Sequence, residues 1–209
     1  MPTASPPRHF SMIRGFHLAD VFTLGNAACG VAGVLMAMRH LASRDPADLL
    51  WAAAFAPLAF LFDVLDGRIA RWRHTSSPLG RELDSLADVI SFGVAPAALA
   101  YAAGLNGLWD ALILVYFVCC GVSRLARYNV TAEQLSAGSD KVAYFEGTPI
   151  PTSILIVLLL GLAFYLGRID ADLWLGSVQI GPALLHPLAL IYAASGSAMI
   201  SATLRIPKP

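Results

Sequence analysis

The sequence predicts an all-α integral membrane protein with six transmembrane helices. Of its 209 residues, 57% are hydrophobic and only 13% are charged, which is about half the charged fraction of a typical globular chain. Six apolar stretches approach the roughly 20 residues that a helix needs to cross a bilayer. We place these stretches at Val21–Met38, Leu49–Ile69, Val89–Leu105, Trp109–Ser123, Thr152–Leu166 and Ile180–Ile200.

The first stretch and the residues before it each allow two interpretations. A secretory signal peptide is disfavoured because Asn26 interrupts the apolar run and no clean cleavage pattern flanks it. Residues 9–20 mix apolar and charged side chains, which suits a short helix on the membrane surface, and a plain connecting loop fits nearly as well. We expect an N-terminal tail over 1–20, a transmembrane catalytic domain over 21–203 and a C-terminal tail over 204–209.

The cationic residues predict the orientation in the membrane. If the N-terminus is cytoplasmic and the spans alternate, eleven of the 14 Lys and Arg residues lie at or near the cytoplasmic face. Only Arg39, Arg44 and Arg168 fall elsewhere. Because cytoplasmic segments are enriched in Lys and Arg, we expect a cytoplasmic N-terminus. We also expect the membrane to be the cytoplasmic membrane of a prokaryote.

Four carboxylates at the cytoplasmic ends of the second and third spans are the main candidate site. Asp63 and Asp66 are three residues apart, and Asp84 and Asp88 are four apart, so each pair shares one helical face. Two antiparallel helices with a short connection would bring both faces together. Such a cluster suits hard, oxygen-seeking cations, and without His or Cys nearby magnesium or manganese fits better than zinc. The sequence therefore predicts a divalent-metal site at this membrane face.

Small and cationic residues around the carboxylates indicate chemistry on a diphosphate. Gly67 follows Asp66 directly, Gly80 would let the helices approach at the mouth of the site, and Arg71 is placed to hold phosphate oxygens. Two carboxylate-bridged cations would neutralise the attacking and leaving oxygens of a displacement at phosphorus. Any one of these aspartates alone could be a structural polar contact or part of a proton relay, whereas the whole spacing favours an enzyme site.

The array D-x2-D-G-x2-A-R-x8-G-x3-D-x3-D, filled from Asp63 to Asp88, resembles the signature of the CDP-alcohol phosphotransferases. The resemblance implies a six-helix membrane bundle, a homodimer and two divalent cations, Mg²⁺ or Mn²⁺. It implies that Asp88 is also the general base and that Gly67 and Arg71 contact the CDP diphosphate. The metal ligands that it implies are Asp63, Asp66, Asp84 and Asp88.

Further segments narrow the resemblance to the phosphatidylserine synthase branch. They are Thr23–Asn26, Leu83–Pro96, Arg124–Asn129 and Phe145–Pro151. The likeness covers roughly residues 18–165 and implies CDP-diacylglycerol and L-serine as substrates, with phosphatidylserine and CMP as products. One departure is Thr148, which stands after Gly147 where we expect Leu.

Four polar residues outside the array carry weaker assignments. Asn26 lies inside an apolar helix and is assigned to cytosine recognition, with an inter-helix hydrogen bond as the equal alternative. Ser77, with Gly80, is assigned to the CDP site, although an ordinary loop serine fits as well. Arg124 and Arg127 could hold the carboxylate of serine or a lipid phosphate, or could simply anchor the helix at the interface.

Other functions stay open at this point. The same chemistry could use glycerol 3-phosphate, inositol phosphate or choline as the acceptor, or an archaeal ether CDP-lipid as the donor. A hydrolase would use the same metals with water as the nucleophile. A divalent-cation transporter would need no phosphate-binding residues and should carry acidic residues at both membrane faces. We expect the bilayer, and no nucleic acid, among the partners.

Overall fold

The structure is a computed structural model that describes residues 18–73, 78–137 and 144–207. These residues form a helical bundle, and α3 continues into α4 through a π-helical segment, Val89–Val94. In that segment the backbone N–H of Ala95 donates to the carbonyl of Ile90, five residues earlier. The helices are α1 (Leu18–Ser43), α2 (Pro46–Arg73), α3 (Pro78–Asp88), α4 (Ala95–Ala102), α5 (Leu108–Ala137), α6 (Ile154–Tyr165) and α7 (Leu190–Ile200).

Short strands and single helical turns connect the later helices. Two antiparallel pairs form, in which β1 pairs with β4 and β2 pairs with β3. The strands are β1 (Tyr144–Glu146), β2 (Val178–Ile180), β3 (Ala183–Leu185) and β4 (Arg205–Pro207), and the 3₁₀ turns are Ile150–Ser153, Asp170–Asp172 and Pro187–Ala189.

The predicted helical membrane fold is confirmed. Within the described residues, four helices are long and apolar enough to cross a membrane: Leu18–Ser43, Pro46–Ile69, Leu79–Ala102 and Leu108–Val130. Two further apolar helices, Ile150–Tyr165 and Pro187–Ile200, are shorter. The count of six spans, and the division into two tails and a transmembrane domain, stay predictions.

Two predicted boundaries differ from the structure. The third span was predicted to begin at Val89, but the helix begins at Pro78, since a proline is tolerated in the first turn of a helix. The sixth was predicted from Ile180, but Gly181 and Pro182 turn the chain into a hairpin, and the helical residues begin at Pro187. The surface helix predicted over residues 9–20 falls on residues that the structure does not describe, except for the last three, which belong to α1.

α1 has its polar and small residues inside and its large apolar ones outside. Its buried face includes Thr23, Asn26 and Gly30, whereas Leu24 and Leu35 are exposed. In a bilayer, lipid covers the apolar face, and small residues let neighbouring helices approach closely. α1 packs most extensively on α2 and also contacts α3 and the π-helical segment. These contacts place the polar face of α1 against the carboxylate array.

Candidate active site

Three carboxylates from two helices form a compact cluster. Each of Asp63 and Asp66 on α2 and Asp84 on α3 offers an oxygen atom, and these three atoms lie within 4.8 Å of one another. Asp66 is buried and the other two are half-buried. The predicted approach of the two faces is thus observed for three of the four carboxylates.

The cluster fits a divalent cation. Among the described residues, none forms a salt bridge with these three carboxylates. Like charges at this distance in a poorly solvated site repel each other strongly. Carboxylate oxygens are the ligands that Mg²⁺ and Mn²⁺ prefer. The residues present therefore match the kind of ion that the sequence predicts.

The fourth carboxylate, Asp88, lies beside the cluster rather than in the group of three. It is buried, and it is near enough to Asp63 and Asp84 for their charges to repel its own. Asn26, which is fully buried on α1, donates a hydrogen bond from Nδ2 to Oδ1 of Asp88 over 3.3 Å. This contact is the inter-helix bond that the sequence left open as the alternative for Asn26.

Close backbone packing holds α1 against the segment that follows Asp88. The Ser91 hydroxyl donates to the Asn26 carbonyl over 2.8 Å. A β-carbon added at Gly30 would lie 2.8 Å from Cα of Ser91, so a larger residue there would push the two elements apart. The geometry that joins Asn26 to Asp88 therefore depends on a glycine one turn further along α1.

Two residues of the site, Thr23 and Asp20, were given no role from the sequence. The Thr23 hydroxyl donates to Oδ2 of Asp66 over 2.7 Å, while its distance to the Ala19 carbonyl is 3.2 Å. Asp20, which we expected in the N-terminal tail, is buried in the first turn of α1 and adds negative charge near Asp66. The spacing of Asp20, Thr23 and Asn26, three residues apart in turn, was the signal that could have identified this face.

The residues predicted to contact the diphosphate lie beside the cluster where the structure describes them. Two nitrogen atoms of the Arg71 guanidinium lie 3.7 and 4.0 Å from the position that a β-carbon of Gly67 would occupy. The absent side chain thus leaves a face of Arg71 open at Gly67, the residue after Asp66. Gly80 is half-buried in the first turn of α3. Ser77 lies outside the described residues.

The two arginines of α5 differ in their surroundings. Arg124 is half-buried, and the Asp88 carboxylate is near enough to attract its guanidinium. Its Nε is buried and has no hydrogen-bond partner among the described residues. Arg127 is exposed. The structure therefore places Arg124 beside Asp88.

Two buried carboxylates at the other end of the bundle are held by protein groups. Asp110 is completely buried and accepts hydrogen bonds from the Gly107 and His186 backbone N–H groups, at 3.0 and 2.8 Å. Nδ1 of His186 lies 2.6 Å from its second oxygen. Asp48 pairs with Arg39 over 3.4 Å. These carboxylates serve packing, which is unlike the acidic lining expected at both faces of a cation transporter.

A family model and several curated proteins resemble this chain over most of its length. The family model described as CDP-alcohol phosphatidyltransferase matches residues 16–193. A CDP-diacylglycerol–serine O-phosphatidyltransferase of Saccharomyces cerevisiae is 43% identical over 98% of this chain and 75% of its own length. An archaetidylserine synthase of Methanothermobacter thermautotrophicus is 34% identical over 84% of this chain and 69% of its own length. A CDP-diacylglycerol–serine O-phosphatidyltransferase of Bacillus subtilis is 31% identical, over 71% and 77% respectively.

Proposed function

The chain belongs to the CDP-alcohol phosphatidyltransferase family, and we propose that it transfers the phosphatidyl group of CDP-diacylglycerol to L-serine. The products are phosphatidylserine and CMP. The observation that carries the proposal is the cluster of Asp63, Asp66 and Asp84, whose oxygen atoms converge within 4.8 Å in a chain that is otherwise poor in charge. The names of the serine-using relatives supply the acceptor.

The carboxylates would hold two divalent cations, Mg²⁺ or Mn²⁺. The ligands are Asp63, Asp66 and Asp84, with Asp88 as the fourth. When bound, such ions neutralise negative charge on the attacking and leaving oxygens at phosphorus. Thr23, through its hydrogen bond to Asp66, would orient one ligand from α1.

The proposed reaction is a direct displacement at the phosphorus that carries the diacylglycerol. The serine hydroxyl oxygen forms a bond to this phosphorus, the bond to the bridging oxygen breaks, and CMP leaves with that oxygen. Asp88 accepts the hydroxyl proton as the general base, and Asn26 fixes the orientation of its carboxylate. Arg71, next to the space left by Gly67, contacts the diphosphate oxygens.

We assign the acceptor side of the site to Arg124. A guanidinium binds a carboxylate through two parallel hydrogen bonds, and the buried Nε of Arg124 has no partner among the described residues. Its place beside Asp88 would bring a bound amino acid close to the base. Arg127, which is exposed, is the second candidate for the same role or for a lipid phosphate.

The protein is an integral membrane protein, and we propose that its active site faces the cytoplasm. The hydrogen bond from Thr23 to Asp66 puts the carboxylates at the end of the bundle where α1 begins. The excess of Lys and Arg at that end supports a cytoplasmic assignment. By the family resemblance the active form is a homodimer.

The relative named as an archaetidylserine synthase favours one second candidate. In that case the acceptor and the residues keep their roles, and the donor is an ether-linked CDP-lipid. The donor's chains would contact the apolar outer surface of the helices rather than the carboxylates. A direct comparison of CDP-diacylglycerol with its diether analogue distinguishes the two donors.

The test is CMP release from CDP-diacylglycerol by the purified full chain, with and without L-serine. We expect release that depends on serine, requires Mg²⁺ or Mn²⁺ and stops with EDTA. Release without any alcohol would indicate a hydrolase. Release only with a different alcohol would overturn serine as the acceptor while keeping the reaction class.

A further inference from the structure

Two of the buried polar atoms that have no partner among the described residues belong to neighbours of Asp88. The described residues hold four such side-chain atoms: Asn26 Oδ1, His40 Nε2, Arg124 Nε and Thr148 Oγ1. A buried polar group without a hydrogen bond costs stability. Asn26 and Arg124 lie on different helices beside Asp88, and Thr148 lies on the segment that leads into α6. Buried polar groups kept without a partner are candidates for binding a polar ligand.

The backbone at Gly147 and Thr148 is held by two hydrogen bonds. The Thr148 N–H donates to the Ala198 carbonyl over 3.2 Å, and the Gly147 N–H donates to the Leu204 carbonyl over 2.9 Å. Gly147 has φ +74°, and a β-carbon there would collide with the carbonyl of Met199. This segment is therefore tied to the end of α7 and to the residues after it, which hold the Thr148 backbone in place before any ligand binds.

The same segment packs against the elements that carry Asp88 and Arg124. Cδ1 of Ile150 lies 2.7 Å from the position of a β-carbon at Gly121, one turn before Arg124 on α5. It lies 3.8 Å from the equivalent position at Gly93, in the π-helical segment that follows Asp88. Thr148 precedes Ile150 by two residues, in the segment that packs here against α5 and the π-helical segment.

We propose that the Thr148 hydroxyl is a specificity-determining contact for the amino-acid acceptor, an inference that rests on the proposed function. The Thr148 hydroxyl oxygen accepts a hydrogen bond from the α-ammonium group of serine. Arg124 binds the α-carboxylate from the other side, which leaves the serine hydroxyl toward Asp88. The ligand class is a zwitterionic amino acid, because the two protein groups are one cation and one neutral acceptor.

The residue expected at position 148 indicates how much the Thr148 contact should contribute. The family resemblance leads us to expect Leu at this position, and a leucine side chain cannot hydrogen-bond an ammonium group. The Thr148 contact is thus an addition that strengthens acceptor binding in this chain, and turnover itself should survive its loss. A site that hydrogen-bonds a ligand group discriminates against analogues that lack the group.

The experiment measures CMP release by the full chain in detergent. Serine is varied at saturating CDP-diacylglycerol, and CDP-diacylglycerol is then varied at saturating serine. Thr148→Val removes the hydroxyl at nearly constant volume, Thr148→Leu installs the expected residue, and Thr148→Ser restores the hydroxyl. Thr152→Val is the matched control, since the Thr152 hydroxyl bonds the Pro149 carbonyl within the same segment.

We expect Val and Leu at 148 each to raise the KM for serine about tenfold, the size expected for one hydrogen bond to a charged group. The KM for CDP-diacylglycerol and kcat should change less than about twofold, and Thr148→Ser and Thr152→Val should resemble the unmodified chain. 3-Hydroxypropanoate, which is serine without its ammonium group, should bind the unmodified chain and the Val variant equally well.

Two results would overturn the inference. One is a serine KM that neither Val nor Leu alters, and the other is an equal rise in the KM values of both substrates, which would indicate a structural role. Failure of the proposed function looks different, because the unmodified chain would then release no CMP in response to serine. If one variant does not fold, the other still decides the question.

Discussion

Asn26 and Asp88 are joined by a hydrogen bond of 3.3 Å between two helices, at a point where the asparagine is completely buried. An asparagine in an apolar helix needs a partner, and this one binds the carboxylate that we propose as the general base. Its amide oxygen has no partner among the described residues. Asn26 is therefore positioned to orient the base and still has one acceptor free for a substrate.

Asn26→Ala should separate those two roles. If Asn26 mainly orients Asp88, kcat falls about tenfold to a hundredfold, because a small misplacement of a reacting group is costly. If it mainly reads cytosine, the KM for CDP-diacylglycerol rises and kcat changes little. Steady-state kinetics in both substrates distinguishes these outcomes, with melting temperature as the control for folding.

Asp88→Asn should abolish turnover and leave substantial binding of CDP-diacylglycerol. The amide keeps the shape of the side chain but cannot accept the serine proton, and a general base contributes about 10²–10⁴-fold in rate. Equilibrium binding of the CDP-lipid in the presence of Mn²⁺ is the decisive measurement. Loss of binding together with turnover would mean that Asp88 acts chiefly as a metal ligand.

Thr23→Val should weaken metal binding without removing any ligand. The substitution deletes the 2.7 Å hydrogen bond to Asp66, and loss of a group that orients a metal ligand typically costs 10–100-fold in affinity. We expect the Mn²⁺ concentration for half-maximal activity to rise by about that factor. Thr203→Val, which alters an exposed threonine, is the control. An unchanged Mn²⁺ requirement would mean that the hydrogen bond has no part in metal binding.

Arg124→Ala should raise the KM for serine more than the KM for CDP-diacylglycerol. The same change at Arg127 should have a smaller effect, because Arg127 is exposed whereas Arg124 is half-buried beside Asp88. A tenfold or greater rise is the expected size for a charge-assisted contact. Equal effects on both substrates, or a stronger effect at Arg127, would contradict the assignment.

Asp110→Asn should lower stability and leave the serine and CDP-lipid KM values unchanged. Asp110 is completely buried and is held by the His186 side chain and two backbone N–H groups. Removing one member of a buried charged network typically costs about 3–5 kcal/mol, which corresponds to about 6–20 °C in melting temperature for a chain of this size. A thermal melt in detergent checks this, and an unchanged melting temperature would show that the network is not stabilising.

The sequence predicted the array better than its surroundings. The three- and four-residue spacings of the four aspartates suffice to place them on facing helical surfaces, and three of them do converge. Charge in an apolar chain is a strong signal because membrane segments rarely tolerate it without a function. The same reasoning gave the correct fold class.

The remaining site residues depend on tertiary contacts that spacing alone does not reveal. Thr23 and Asp20 looked like ordinary residues near a helix start, and their role follows from the packing of α1 on α2. The pairing of Asn26 with Asp88 depends on contacts 62 residues apart in sequence. In the sequence Thr148 is a departure from the family pattern. A use for it is indicated only by its hydroxyl, which is buried and has no hydrogen-bond partner among the described residues.

The π-helical segment Val89–Val94 acts as a phase shift between the carboxylates and the rest of their helix. Its five-residue hydrogen bond fits about one more residue into a turn than an α-helix holds. Deleting one residue there would restore a regular α-helix. If the residue stayed but the segment were α-helical, α4 would be rotated by about 100° relative to Asp88, because one residue turns an α-helix by that angle. The segment thus lets the polar face of α3 and the lipid-facing side of α4 be oriented independently, although both belong to one membrane crossing.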